Sequence, residues 1–210
     1  MKKITFLCLL SLALLNSCIG ASADIVIHAD GSGKIFLEYR VSQMLESMGR
    51  LDGNARWPAI PVGKADFERS LARTPGITLS SFSAKETRSA AGGKDLVTRV
   101  ALKFQNTASL LAFLDYTGSS ASFNPDTRVM RLVLLDTAAD ADADLNSLLR
   151  DVFSGYTMDM SFTVPKNASL TLFPPVAAAK LVTQGKKVSF SIGMGDLVTL
   201  AEGLMLEVSW

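Results

Sequence analysis

Ala23-Asp24-Ile25-Val26-Ile27-His28-Ala29 is followed by Asp30-Gly31-Ser32-Gly33 and then by Lys34-Ile35-Phe36-Leu37-Glu38-Tyr39-Arg40. Two runs rich in β-branched and aromatic residues, joined by a glycine-rich four-residue turn, predict an antiparallel β-hairpin. The pattern recurs along the chain. Ile77, Leu79 and Phe82 begin a strand whose partner alternates from Leu96 to Phe104, with Ala90-Ala91-Gly92-Gly93 as turn chemistry between them. Ala121-Ser122-Phe123 and Arg128 to Leu135 flank Asn124-Pro125-Asp126 as a third hairpin.

Between hairpins the apolar period changes from two to that of a helix. Met44, Leu45, Met48 and Leu51 predict a helix over 41–51, stopped by Asp52-Gly53-Asn54. The two prolines of Arg56 to Gly63 make that stretch a loop. Phe67 and Leu71 mark a short helix within 64–73, Leu110, Leu111 and Leu114 one ending by 116, and Leu145 to Phe153 one over 140–154. The last third is strand-rich: 156–164, 169–173, 186–192 and 204–210, with a helical turn at 196–200. Hairpins alternating with single helices predict an α+β fold: a mainly antiparallel sheet with single helices packed on one face. The folded body is expected over 24–210 as one domain, with a division into two subdomains near residue 155 left open.

Upstream of the first hairpin, Lys2 and Lys3 precede the apolar run Ile4 to Leu15, a segment of signal-peptide length that is too short to span a bilayer as a mature helix. Leu15-Asn16-Ser17-Cys18 then resembles a bacterial lipobox, in which the cysteine is acylated and becomes the new N-terminus. This reading makes 1–17 a signal peptide, Cys18 the lipidation site and 18–23 a lipid-anchored linker. Ala21-Ser22-Ala23 before Asp24 also fits ordinary signal peptidase, which would release a secreted soluble protein cleaved after Ala23. Either route exports the chain, to a membrane-anchored place on the periplasmic or cell-surface face in the first case.

Cys8 leaves with the leader, so no cysteine follows Cys18. A disulfide framework, a zinc knuckle and a cysteine nucleophile are thereby excluded from the body. Loss of Lys2 and Lys3 takes the basic residues from 21 to 19 against 20 acids, a net charge of −1. That balance argues against a nucleic-acid partner.

No catalytic constellation emerges. His28, the single histidine, lies in a predicted strand without a recognisable nucleophile or orienting group. Asp140, Asp142 and Asp144 begin like a calcium loop, but Leu145 stands where its glycine belongs and Asp151 where its glutamate belongs, so they read as the acidic start of a helix. Asp30-Gly31-Ser32-Gly33 lacks the helix and lysine of a phosphate loop. Asp159 and Glu202 are the carboxylates a hydrolase would have to use, without a motif behind them. Alternation up to the terminal Trp210 resembles the closing strand of an outer-membrane barrel, against which the helices argue. Trp57, Met44, Met48, Met158, Met160, Met194 and Met205 could line an adaptable apolar pocket, with ordinary core packing as the competing use.

The lipobox, the extended pair around Asp30-Gly31, and a closing block of strand, Val164-Pro165, Gly185, strand and final strand together resemble the LppM-type family of small bacterial envelope lipoproteins. The resemblance implies acylation at Cys18, a turn at Asp30-Gly31 and a late bend at Val164-Pro165. It also implies a tethered α/β domain without an assigned reaction. The expected function is therefore non-enzymatic, without cofactor or metal. The protein would bind an apolar or lipid ligand or another envelope protein, or else serve as a structural assembly module through an exposed sheet edge.

Overall fold

The computed structural model describes residues 19–42, 64–88, 94–115, 120–135, 143–153 and 155–210. In chain order the elements are β1 (Ile19–Ile27), β2 (Gly33–Ser42), α1 (Lys64–Leu71), β3 (Ile77–Arg88), β4 (Lys94–Phe104), α2 (Thr107–Leu114), β5 (Ala121–Asn124) and β6 (Val129–Leu135). They continue with α3 (Ala143–Val152), β7 (Thr157–Thr163), β8 (Ser169–Phe173), β9 (Lys180–Gln184), β10 (Lys187–Gly193), α4 (Met194–Val198) and β11 (Leu204–Ser209). The class is α+β and rich in antiparallel sheet.

The strands divide into two sheets. Seven strands lie in the order β3-β4-β2-β1-β7-β10-β9 and four in the order β5-β6-β11-β8. Alternation dictates which side chains point inward but not which strand is the neighbour, and here the inward sides of two sheets face each other. β1 is central to the large sheet, antiparallel to β2 and parallel to β7. That sheet takes strands from both sides of residue 155. Both sheets have free edges among the described residues, so neither closes into a barrel. Trp210 instead stacks on Phe123, with ring centroids 5.2 Å apart, against the core.

One apolar cluster joins the two sheets. In the large sheet, Leu102, Ile35, Ile25, Phe162 and Val188 stand side by side across five strands, and each is at most 1% exposed. Met130, Leu132, Leu172, Leu206 and Val208 meet them from the small sheet. Phe67 of α1, Leu110 of α2 and Leu197 of α4 enter the same cluster, so these helices lie on the inward side of the large sheet. Phe67 packs its ring 5.9 Å from Phe82 and 6.3 Å from Tyr39. The opposite face of the large sheet, between the rows of Ser22 and Lys34, is exposed or half-buried apart from Ser161.

The hairpin turn follows from local chemistry. Asp30 Oδ1 accepts from the Ser32 N–H at 3.0 Å and from its hydroxyl at 2.7 Å, while Gly31 adopts a φ of 83°. Gly33 is required by contact instead: a Cβ there would lie 1.9 Å from the Val26 carbonyl oxygen and 2.3 Å from a ring carbon of Phe104. A side chain at 33 would push β1 away from β2 and displace the Phe104 ring.

Three expectations change. Residues 19–23, read as a linker, are the first part of β1, because β2 supplies ladder partners to all five and β7 to Ala21 through Ala23. Val41 and Ser42 extend β2, and the rest of the helix predicted over 41–51 lies outside the described residues, as does the proline loop. β9 was not visible in the pattern, since all five of its residues are exposed and carry no apolar period.

Candidate functional site

Cys18 lies outside the described residues, and Ile19, the next residue, already belongs to β1. In sequence, Cys18 directly precedes the central strand of the large sheet. β1 spans nine residues, which at about 3.3 Å each puts its turn end nearly 30 Å from that point.

The outward face of the same strand carries polar groups in register with those of its neighbours. Ser22 stands beside Glu38, which stands beside Arg99 and then Ser83; Asp24 stands beside Phe36, then Ala101 and Ser81. The small side chains around Phe36 leave a shallow hollow of about 480 Å³, bounded by Asp24, Glu38, Arg99, Ser81 and Ser83. Phe36 itself is 45% exposed, an aromatic platform on a polar surface. On the other side, the Ser161 hydroxyl donates to Asp24 Oδ1, and the Thr157 hydroxyl donates to Asp159 Oδ2 at 2.6 Å.

Glu38 holds this rim together. Its Oε2 accepts from Arg99 Nε at 2.6 Å and its Oε1 from Arg40 Nε at 3.2 Å and Nη2 at 3.1 Å. Burial pushes the Glu38 carboxyl up, but the hydrogen bonds and charges of Arg99 and Arg40 outweigh it and hold it below the ordinary glutamate range. A carboxyl depressed in the folded state adds stability that is present above its unfolded value and is lost as pH falls through the folded one. Glu38→Gln should therefore cost about 0.2–1 kcal/mol at pH 7, the range of partly exposed ion pairs. The gap between the two urea midpoints should shrink as pH is lowered from 6 to 3. A gap that widens on acidification would contradict the sign.

The residues singled out in the sequence do not converge. His28 is exposed just after β1, where its backbone N–H donates to the Ser32 carbonyl at 2.8 Å. Asp159 is on β7 and Glu202 in the turn before β11, and neither bounds the hollow around Phe36. Asp144 lies in the first turn of α3, while Asp140 and Asp142 fall outside the described residues. Among the described residues no group of three His, Cys, Asp or Glu side chains is placed to hold a metal. Met130 and Met160 are core residues, and Met158 and Met194 pack against that core. Met44, Met48 and Trp57 lie outside the described residues. Asp30-Gly31 forms the expected turn, and Val164, 2% exposed, follows β7 directly. The Phe36 hollow was missed because its members come from β1, β2, β3 and β4; the alternation of Phe36, Glu38 and Arg40 against an inward Ile35, Leu37 and Tyr39 was its one local sign.

No helix among the described residues is long and apolar enough to cross a membrane. No protein-family model matches the chain, and no curated protein sequence matches it. Among solved structures the chain is similar to the folded domain of the Mycobacterium tuberculosis LppM protein, at a TM-score of 0.45 and 10% identity, over 93% of this chain and 91% of that one. It is also similar to a candidate protease of Parabacteroides distasonis ATCC 8503 (TM-score 0.37, 10% identity, 93% of this chain) and to an M1 zinc metallopeptidase of Deinococcus radiodurans (0.33, 9%, 92%). Of those two larger proteins the chain spans 40% and 42%.

Proposed function

We propose that the chain is an exported envelope protein, tethered to a membrane by acylation of Cys18, which acts by binding another envelope component rather than by catalysis. The observation that carries the tether is the start of β1 at Ile19. Of the two processing sites in the leader, cleavage before Cys18 leaves β1 whole. Cleavage after Ala23 removes Ile19 to Ala23 from the middle of the large sheet and strips β2 of its partners for Val41 through Leu37. The pairing of residues 19–23 supports the reading in which the cysteine site is used.

The binding surface proposed is the outward face of the large sheet around Phe36, where an exposed ring is surrounded by carboxylates, serines and an arginine that can pair with a partner's polar groups. Such a hollow is too open to enclose a lipid chain. A second reading, assembly through a sheet edge, is favoured by β9: Leu181 and Val182 are 42% and 46% exposed on a strand whose outer edge is unpaired, beside β8 and the 43% exposed Phe173.

Feeding cells an alkyne-bearing fatty acid tests the tether. The wild-type chain should take up the label and the Cys18→Ala chain should not; an unlabelled wild-type chain overturns the proposal. Photo-crosslinkers at positions 36 and 182 then separate the surfaces, since a neighbour captured from 182 and not from 36 selects the edge.

A further inference from the structure

We propose a binding site for a phosphate-class oxyanion at the turn end of the large sheet, held between the ammonium groups of Lys34 and Lys103. These lysines are direct partners in the β2–β4 ladder and both are exposed on its outward face. Like charges directly opposite each other in a ladder are unfavourable. Other cations of the two sheets are matched, Arg99 and Arg40 by Glu38, Lys94 by Glu86, and Arg131 by Glu207 at 2.8 Å. Neither Lys34 nor Lys103 has a carboxylate partner among the described residues. Asp30, in the adjoining turn, is engaged by the N–H and hydroxyl of Ser32.

The pair also sits in a hollow. A concavity of about 480 Å³ is bounded by Lys34 and Lys103 together with Thr78, Gln105, Ser32 and His28. Thr78 is the ladder partner of Lys103 on β3, so a residue with a hydroxyl donor lines the same hollow as the two lysines. Two cations plus hydroxyl and amide donors match a dianion with several acceptor oxygens, and lysine serves such groups as a point charge. The row continues through Val26 and Thr163 to Lys187, without a carboxylate, so a larger molecule bearing more than one such group would find a further cation on the same face. The unfavourable lysine pair is relieved when the anion is bound, and the site is independent of how the chain is anchored.

Full-length protein isolated from cells would be titrated with inorganic phosphate at constant ionic strength held by chloride, following backbone amide shifts of Ser32, Lys34 and Lys103. Saturable shifts in the low-millimolar range or tighter are expected. Lys34→Gln and Lys103→Gln should each weaken binding several-fold, the double variant should lose at least tenfold, and Lys103→Arg should retain binding. The double variant should melt no lower than wild type without phosphate, since it lacks the repulsion, and should gain no Tm when phosphate is added. Phosphate response in solution identifies a free or soluble phosphate; response only to vesicles containing phosphatidylglycerol, lost in the double variant, identifies a headgroup. No saturable response to either probe, or equal binding by the double variant, overturns the site.

Discussion

A chain beginning at Asp24 should fail to fold, whereas one beginning at Ile19 should unfold cooperatively. Removing Ile19 to Ala23 opens the β1–β2 ladder from Ile19↔Val41 to Ala23↔Leu37 and the β1–β7 ladder from Ala21↔Met158 to Ala23↔Met160. Each lost ladder bond forfeits about 0.5–1.5 kcal/mol, and the groups left unpaired inside a sheet cost more than the mean. Water would also reach Val41 and Met160, which are 6% and 7% exposed in the intact fold. The total is about 5 kcal/mol or more, comparable with the whole stability of an ordinary domain. Circular dichroism and urea titration of the two chains check this. A chain beginning at Asp24 that unfolds cooperatively within about 1 kcal/mol of the longer one would remove the structural reason for preferring Cys18 as the processing site.

The second large effect is expected at Phe162. It is 0% exposed, lies on β7 between Ile25 of β1 and Val188 of β10, and belongs to the cluster that joins the two sheets. Phe162→Ala removes a ring from the centre of that row and leaves a cavity that the flanking strands can close only in part. The loss should be about 3–5 kcal/mol. Read by urea unfolding, the midpoint should fall with little change in the denaturant slope, because the surface exposed on unfolding is nearly the same. A loss under about 1 kcal/mol would mean that the two sheets do not share this core.

Much of the fold was legible because burial alternates along its inner strands. Ile25, Ile27, Ile35 and the even-numbered residues from Leu96 to Phe104 mark their own inward side, and Asp30-Gly31 marks the turn. What was hidden is what depends on distant partners. Ile19-Gly20-Ala21-Ser22 consists largely of small residues and looks like a processing-site linker; it is strand because β2 and β7 hold it, and β7 is more than a hundred residues away. The parallel β1–β7 pairing leaves no local trace, so the joining of the first hairpin to the last third of the chain was hidden. β9 is an edge strand with every residue exposed, so it lacks the alternation by which strands are recognised. The outward hollow was hidden for the same reason as the sheet order: Glu38 and Arg99 meet only once β2 and β4 are in register.

The central claim is that this domain is held at a membrane by an acylated Cys18 placed directly before its central strand. Intact mass of the protein from separated membrane and soluble fractions of a bacterial host tests it most directly. Expected is a membrane-fraction species that begins at Cys18 and carries added acyl mass. A soluble species beginning at Asp24 with no added mass, and with the fold intact, would contradict it.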